Sequence, residues 1–197
     1  MSNHLNLVVL VSGNGTNLQA MIDQIQSGRL QAEIKWVISN RGEAFALERA
    51  KKSGIPTQVI AEKKREPFEE RLVAVLQGTN FDYIALAGFM RILSPSLVRR
   101  YPGRILNIHP ALLPHFPGTD AIRQAWEAGV SETGCTVHFV DEGVDTGPII
   151  SQKKVPIKPG ESLDALTERI HTIEHQLYPE VLQQLAQKKS DPKGDRL

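Results

Sequence analysis

The chain has 197 residues, of which 41% are hydrophobic and 23% charged, and it carries a formal net charge of +1. This length favours one domain with a substantial core, and the near-neutral charge gives no footprint for binding nucleic acid or a membrane surface. The sequence has neither a signal peptide at its start nor a run of about 18 apolar residues, so we expect a cytoplasmic protein.

Short apolar runs alternate with segments of helical periodicity through the first two thirds of the chain, which is typical of βαβ units around a mostly parallel sheet. The runs predicted as strands are Leu5–Val11, Glu33–Ile38, Thr57–Ile60, Tyr83–Ala87 and Ile105–Ile108. The segments predicted as helices, each closely followed by a glycine (Gly28, Gly54 and Gly78), are Asn17–Gln26, Ala44–Lys52 and Pro67–Leu76. Runs such as VVLV do not alternate, as expected of parallel strands buried on both faces.

The pattern changes after residue 130. Two further predicted strands, Cys135–Val140 and Pro148–Val155, are joined by the short loop DEGVDTG, which favours an antiparallel hairpin. A long amphipathic helix then begins near Ser162, is interrupted but not ended by Pro179, and leads into the polar tail KKSDPKGDRL, which we expect to fray. The predicted fold is a single-domain, Rossmann-like α/β open sheet, mostly parallel with antiparallel strands in the C-terminal part and helices on both faces.

The first predicted strand runs into the loop SGNGTN and then into a helix, an arrangement that commonly holds an anion. Leu18 occupies the place of the third glycine in a dinucleotide fingerprint, and the loop lacks the lysine of a nucleoside-triphosphate loop. Backbone N–H groups at the helix start, with side-chain donors from Thr16 and Asn17, therefore suit a single phosphate monoester. A plain strand-to-helix turn, with Gly13 and Gly15 serving the bend, is the alternative.

The stretch RILNIHPALLPHFPG carries a second candidate site. Asn107 and His109 lie two residues apart on a predicted strand and so project from one face of the sheet. Pro110 ends the strand, which leaves both side chains near the carboxyl edge, where ligands bind in open parallel sheets. An imidazole beside a carboxamide can donate hydrogen bonds that stabilise a developing oxyanion. The alternative is that His109 is a buried histidine with a structural role only.

Asp145 lies between two glycines of the DEGVDTG loop. A carboxylate near His109 would raise the pKa of the imidazole, favour its protonated form and order a water for proton transfer. The sequence leaves the distance between these two residues open. Asp141, Glu142 and Asp145 could instead form a metal site or a solvated turn, but their spacing matches no calcium loop, so we expect no metal.

Other polar residues are weaker candidates. Cys135, the single cysteine, cannot form an internal disulfide and has no basic neighbour, so we expect a small core residue in a reducing compartment. Ser12 lacks the context of a nucleophile elbow. His138 lies inside a predicted strand and receives no functional role. We expect the three consecutive basic side chains of residues 63–65 to be exposed to solvent, although Arg65 could bind an anionic ligand.

Four segments together carry a resemblance to a known family: SGNGTNLQA, AGFMRILSP, ILNIHPALLPHFPG and GCTVHFVDEGVDTGPII. In them N-I-H-P is followed by L-L-P and then, at the expected distance, by V-D-x-G-P. From about Leu7 to Tyr178 the chain resembles the phosphoribosylglycinamide formyltransferases. These enzymes transfer the formyl group of 10-formyltetrahydrofolate to the amine of glycinamide ribonucleotide in de novo purine biosynthesis. The acceptor is a phosphate monoester, in agreement with the glycine loop.

The resemblance implies binding roles for individual residues. It assigns Gly15, Thr16 and Asn17 to the phosphate of the ribonucleotide and Glu174 to the neighbourhood of the ribose hydroxyls. The residues implied at the folate site, where the segment 90–93 acts largely through backbone groups, are Arg65, Met90, Arg91, Ile92, Leu93 and Asn107.

Asn107, His109 and Asp145 match the three catalytic positions of the family. The implied reaction is direct attack of the amine on the formyl carbon, with Asn107 and His109 stabilising the oxyanion. Asp145 would hold His109 protonated and organise a water that moves a proton from the amine to the departing folate nitrogen. The co-substrate is 10-formyltetrahydrofolate, and no metal is implied. Two positions depart from some members: Asp120 replaces a histidine and His171 a glutamine.

The resemblance implies one formyltransferase domain over residues 1–197, with a nucleotide-phosphate-binding half at about 1–104 and a folate and catalytic half at about 105–189. The expected partners are the two small substrates, without nucleic acid or membrane, for a monomer or a homodimer. The closest alternatives are a formyltetrahydrofolate hydrolase and a methionyl-tRNA formyltransferase, each of which carries an additional domain that we do not expect here. A non-catalytic nucleotide-phosphate binding module is the alternative from another class.

Overall fold

The computed structural model describes residues 4–190 and centres on one sheet. Within these residues seven strands form the sheet: β1 (Leu5–Val11), β2 (Ala32–Ser39), β3 (Thr57–Val59), β4 (Tyr83–Leu86), β5 (Ile105–His109), β6 (Glu132–Phe139) and β7 (Ile149–Pro156). Their order across the sheet is β3-β2-β1-β4-β5-β6-β7. β1 to β5 run parallel and β6 and β7 are antiparallel, which confirms the predicted fold class.

Six helices accompany these strands in the described part of the chain: α1 (Thr16–Gln26), α2 (Phe45–Lys52), α3 (Arg65–Gln77), α4 (Pro95–Arg100), α5 (Ala121–Glu127) and α6 (Leu163–Ser190). α1, α2 and α6 pack on one face of the sheet, and α3 and α4 pack on the other. Pro179 lies inside α6 without ending it, as the hydrophobic pattern predicts. Among the described helices, none combines the length and the apolarity that a membrane crossing requires.

The central strand β1 is buried on both faces. Leu7 and Val9 pack in the hydrophobic layer that also contains residues of α1, α2 and α6. Val8 and Leu10 pack in the opposite layer, against α3 and α4. Alternate residues of the strand therefore face two different cores, which explains why its sequence is continuously apolar.

The C-terminal strands form the predicted antiparallel hairpin and bring it against β5. The β5–β6 register pairs Asn107 with His138, so these two side chains share a face of the sheet. Because β6 runs opposite to β5, the hairpin loop starts beside the first residue of β5, where the N–H of Val140 donates to the carbonyl of Ile105 at 2.9 Å. The loop must fold back across the sheet to reach His109 at the end of β5.

Most predicted boundaries agree with the structure, and two elements were not predicted. α3 begins at Arg65 rather than Pro67, since proline is tolerated in a first helical turn. β6 begins at Glu132 rather than Cys135, because its first residues pair with β7. α4 and α5 are too short for helical periodicity to show, although Ser94 followed by proline marks the start of α4.

Two of the three predicted cap glycines behave as expected. Gly28 and Gly54 have φ of 74° and 70°, in the left-handed region that helix ends commonly use. Gly78 has φ of −85° and needs no glycine-specific conformation. The tail predicted to fray begins as the last turn of α6, where Lys189 pairs with Asp82 at 2.7 Å, and the remaining residues of the tail lie outside the described part.

Tyr178 joins α6 to the sheet and provides a test of this packing. Its side chain is fully buried, and its hydroxyl donates to the carbonyl of Leu106 on β5 at 3.1 Å. Tyr178→Phe removes this donor from a dry interface, so we expect the free energy of unfolding in urea to fall by about 1 kcal/mol. Tyr101→Phe is the matched control, because Tyr101 is also buried and its hydroxyl has no hydrogen bond to the described residues. Equal losses in both variants would contradict the assignment.

Candidate active site

The carboxyl ends of β1, β4 and β5 lie side by side in the sheet, so the segments that follow them meet. Ser12 is the junction between two of these segments. Its N–H donates to the carbonyl of Gly88 at 3.2 Å, and its hydroxyl accepts from the N–H of Met90 at 2.8 Å and donates to Oδ1 of Asn40 at 2.6 Å. The buried Ser12 hydroxyl therefore links the glycine loop to the segment after β4.

The glycine loop between β1 and α1 approaches α2 closely. Gly15 has φ of 75°, and a Cβ at this position would lie 2.5 Å from Cβ of Ala46. The N–H of Ala46 donates to the carbonyl of Gly13 at 3.1 Å, which holds the loop against α2. Within the described chain no side chain caps the start of α1, so the N–H groups of its first turn are available to an anion.

Asn17, in the first turn of α1, is hydrogen-bonded to Glu174 of α6. Asn17 Nδ2 donates to Oε2 of Glu174 at 3.3 Å, and the two residues are 9% and 5% exposed. Burial raises the pKa of Glu174 to about 7, although the hydrogen bond from Asn17 opposes this rise. Oδ1 of Asn17 is buried and finds no partner among residues 4–190. The side-chain amide is therefore engaged with α6 and does not cap the start of α1.

The segment 90–93 after β4 is held by its own side chains as well as by Ser12. Arg91 donates to the carbonyls of Glu62 and Lys63 at 2.7 and 3.1 Å, and its guanidinium lies 4.5 Å from the ring centroid of Phe68. The Arg91 side chain is thus occupied within the protein. Any ligand at this segment meets mainly its backbone groups and its exposed apolar side chains.

The apolar side chains of this segment differ in exposure. Met90 and Ile92 are 67% and 66% exposed, whereas Leu93 is buried. The next residue, Ser94, begins α4 and is anchored by the carboxylate of Glu69, which accepts from both its N–H and its hydroxyl. Two large apolar side chains at the mouth of the site form a surface that suits a flat apolar ligand.

Arg65 lies apart from the other predicted folate residues. It is the first residue of α3, and its exposed side chain lines an open groove between α3 and α4 together with Ser94 and Arg100. It makes no hydrogen bond or ion pair with the residues that the structure describes. Arg91, by contrast, contacts the carbonyls just before α3, so the two arginines flank the same stretch of chain.

His109 lies between two oxygen atoms at the end of β5. Its Nδ1 is 3.3 Å from Oδ2 of Asp145, and its Nε2 is 2.7 Å from the carbonyl oxygen of Phe116. Both oxygens are acceptors, so each ring nitrogen of His109 faces a hydrogen-bond acceptor. The residue is only 4% exposed, so these two oxygens rather than water are its polar partners.

The carboxylate of Asp145 collects donors from four directions. Besides His109 it faces Asn107 Nδ2 at 3.3 Å, the N–H of Gly118 at 2.8 Å and His138 Nε2 at 3.4 Å. Burial acts to raise the pKa of Asp145, but the hydrogen bonds from His138 and Gly118 and the nearby histidine charges outweigh it and hold this pKa below its ordinary value. Asp145 is therefore ionised at neutral pH.

Asp141, Glu142 and Asp145, the alternative metal ligands, have three different sets of partners. Asp141 accepts from the N–H of Gly143 at 3.1 Å and from the Thr146 hydroxyl at 2.7 Å, which stiffens the hairpin loop. Glu142 pairs with Arg99 of α4 at 2.5 Å. Asp145 faces the histidines, with φ of 55°. Residues 4–190 contain no group of three or more His, Cys, Asp or Glu arranged to hold a metal.

His138 is the site residue that the sequence did not reveal. Its Nε2 lies 3.3 Å from Nδ2 of Asn107 as well as near Asp145, and its Nδ1 is 2.8 Å from the carbonyl of Phe139. The alternation of polar residues along β6 indicates that His138 lies on a polar face of the sheet. Only the pairing of β6 with β5 shows that this face is the one that carries Asn107. Cys135 on the same strand is fully buried, and burial raises the pKa of its thiol to about 12, as fits a core residue.

The structure brings Asp145 together with Asn107 and His109, a proximity that the sequence left open. Residues 5–182 match the family described as formyl transferase, so the chain belongs to this family. It is 47% identical over 181 residues to the phosphoribosylglycinamide formyltransferase of Escherichia coli (strain K12), covering 90% of this chain and 85% of that protein.

Two further similarities concern a longer protein and a solved structure. The chain is 52% identical over 185 residues to the trifunctional purine biosynthetic protein adenosine-3 of Drosophila pseudoobscura pseudoobscura, covering 91% of this chain but only 14% of that protein. The crystal structure of glycinamide ribonucleotide transformylase 1 from Geobacillus kaustophilus is similar with a TM-score of 0.89 and 50% identity, covering 93% of this chain and 100% of that chain.

The buried carboxyl of Glu174 predicts a pH-dependent stability difference. Its folded-state pKa of about 7 lies above the unfolded value of about 4.3, so ionisation favours unfolding as pH rises between these values. Glu174→Gln removes this effect while keeping an acceptor for Asn17. We expect the variant to gain stability over the wild type from about pH 4 to about pH 7, reaching roughly 3 kcal/mol. Urea unfolding across this range tests it, and a constant difference would contradict it.

The ionised Asp145 predicts the opposite behaviour in acid. Its pKa is depressed in the folded state, so its contribution to stability is present above the unfolded value of about 3.9 and is lost as pH falls through the lower folded value. Asp145→Asn lacks this contribution. The stability advantage of the wild type over the variant should therefore shrink as pH falls below about 4, measured by thermal unfolding. Parallel stability curves would rule out a depressed pKa.

Proposed function

We propose that this protein is a phosphoribosylglycinamide formyltransferase, which transfers the formyl group of 10-formyltetrahydrofolate to the amine of glycinamide ribonucleotide. The observation that carries the proposal is the geometry of His109, whose Nδ1 faces the Asp145 carboxylate while its Nε2 faces an oxygen atom. A protonated imidazole held in this way is an oxyanion donor in a protein of the formyl transferase family. Similarity to the enzyme of Escherichia coli over 90% of the chain supports the choice of acceptor.

The ribonucleotide is proposed to bind along the glycine loop and α1. Its phosphate meets the first-turn N–H groups of Gly15, Thr16 and Asn17, which no side chain of the described residues caps. Its ribose lies toward Glu174, whose carboxyl is hydrogen-bonded to the Asn17 side chain.

The formyl folate is proposed to bind between the segment 90–93 and β5. Exposed Met90 and Ile92 supply apolar contact, and the backbone of this segment, held in place by Ser12 and Arg91, supplies hydrogen-bonding groups. Asn107 contacts the formyl end, and Arg65 at the edge of the α3–α4 groove meets the anionic end of the folate. No metal takes part in this proposal.

The reaction is direct transfer. The amine nitrogen attacks the formyl carbon and forms the new C–N bond, and the carbonyl oxygen becomes an oxyanion stabilised by Asn107 and by Nε2 of His109. Asp145 keeps His109 protonated and orders a water that carries a proton from the amine to the folate nitrogen. The bond between the formyl carbon and this nitrogen then breaks, which releases tetrahydrofolate.

The residues proposed for both substrates belong to one chain. The proposed nucleotide-phosphate-binding half at about 1–104 and folate and catalytic half at about 105–189 share one sheet. The proposed folate residues Arg65 and 90–93 lie in the first half, and Glu174 lies in the second. Either a monomer or a homodimer can carry such a site, and both substrates are small molecules. The buried free thiol of Cys135 supports a reducing, cytoplasmic setting.

His109→Ala and Asp145→Ala test the proposed roles. Removing an oxyanion donor, or the carboxylate that keeps it charged, should lower kcat about a hundred- to a thousandfold while circular dichroism reports an intact fold. Glu142→Ala is the matched control, because Glu142 lies in the same loop but pairs with exposed Arg99. We expect the control to keep turnover within about twofold of the wild type, as for surface substitutions. Near-normal turnover in either test variant would refute the assignment.

The acceptor is tested by competition. Formyl transfer is assayed with glycinamide ribonucleotide, water and initiator tRNA as alternative acceptors under identical conditions. Preferred transfer to the ribonucleotide supports the proposal, whereas hydrolysis or tRNA formylation points to a related formyl-folate enzyme. Binding of the ribonucleotide without any transfer would instead identify a non-catalytic module.

A further inference from the structure

The glycine loop carries no lysine, yet a cation reaches it from the neighbouring helix. Arg49 of α2 donates through Nε to the carbonyl of Asn14 at 2.8 Å and through a second nitrogen to Oδ1 of the same residue at 2.9 Å. A third donor reaches Oε1 of Gln19 in α1 at 3.3 Å. The guanidinium thus forms two hydrogen bonds with Asn14, the residue that directly precedes Gly15.

The position of Arg49 is fixed rather than free. Its guanidinium carbon lies 4.9 Å from the ring centroid of Phe45, and its two bonds to Asn14 use the planar fork that distinguishes arginine from lysine. The loop is also held against the same helix through Ala46. Helix α2 therefore carries this charge to a defined place beside the start of α1.

The charge of Arg49 is not compensated by an acidic side chain. All three of its acceptors are neutral oxygens, and within residues 4–190 it forms no ion pair. Burial above all, and then His171 and Arg49, lower the pKa of His175, so this neighbour of Arg49 is neutral. An arginine that is bound only to neutral acceptors beside uncapped N–H groups attracts an external anion.

We propose that Arg49 is the cation of the phosphate subsite, a positioning residue that holds the glycine loop open for a phosphate monoester and adds the positive charge that the loop itself lacks. This rests on the proposed function. The lysine of a nucleoside-triphosphate loop contacts its phosphate directly, whereas Arg49 acts through Asn14 and through its field. One cation beside the loop suits a phosphate monoester rather than a triphosphate.

Arg49→Gln and Arg49→Lys separate the charge of this residue from its geometry. For Arg49→Gln we expect KM for glycinamide ribonucleotide to rise about tenfold, the effect of one cation several ångströms from a dianion near a protein surface. Its kcat and its KM for formyl folate should stay close to those of the wild type. Arg49→Lys should recover part of the loss, and the salt dependence of KM for the ribonucleotide should weaken in Arg49→Gln.

Arg29→Gln is the matched control, because Arg29 also bonds a neutral oxygen, that of Gln24, but lies past the far end of α1. A change in KM no larger in Arg49→Gln than in this control, or an equal loss in Arg49→Lys and Arg49→Gln, would overturn the proposed role of the charge. A matching fall in kcat with unchanged KM for the ribonucleotide would also overturn it.

Inorganic phosphate provides a readout that needs no turnover. We expect phosphate to raise the Tm of the wild type and of Arg29→Gln, and to raise that of Arg49→Gln much less. Equal Tm shifts in all three proteins would refute the proposal. If the wild type shows the phosphate-dependent shift but transfers no formyl group, the proposed function fails while the phosphate subsite stands.

Discussion

The site depends on one partly buried carboxylate, that of Asp145. Asp145 faces His109 of β5, His138 of β6 and the N–H of Gly118 in the loop before α5. Despite the opposing effect of burial, the hydrogen bonds from His138 and Gly118 and the nearby histidine charges hold the pKa of Asp145 below its ordinary value, so an ionised carboxylate lies beside the buried His109. Asn107 Nδ2 donates to the same carboxylate, and Nε2 of His138 lies 3.4 Å from it.

This convergence requires the loop after β6 to turn back. Because β6 runs antiparallel to β5, its loop begins beside the first residue of β5 rather than at the carboxyl edge. The loop then crosses the sheet face, stiffened by Asp141, until Asp145 meets the last residue of β5. The left-handed backbone of Asp145 turns its side chain inward at that point. Catalytic candidates far apart in sequence are thereby packed against one strand.

Sequence reasoning succeeds here where a feature depends on spacing within one element. Asn107 and His109 could be assigned to one face because side chains alternate along a strand, and the glycine loop could be predicted as a strand-to-helix turn that suits an anion. Contacts between different elements could not be predicted from the sequence. The position of His138 beside Asn107 depends on the β5–β6 register, and the hydrogen bonds from Arg49 to the glycine loop depend on how α2 packs. Short helices such as α4 offer too few turns for periodicity to reveal them.

The carbonyl of Phe116 on Nε2 of His109 has an energetic consequence for the proposed reaction. A formyl oxygen that binds this nitrogen exchanges one neutral acceptor for another, so the exchange changes the ground-state free energy little. Once the oxygen gains negative charge, its bond to the imidazolium becomes stronger than the one it replaced. The contact therefore discriminates between the substrate and the transition state, and its strength appears in kcat rather than in substrate affinity. In the proposed reaction, the carbonyl oxygen of Phe116 that faces Nε2 of His109 can be displaced with a gain in free energy only by an oxygen that carries negative charge.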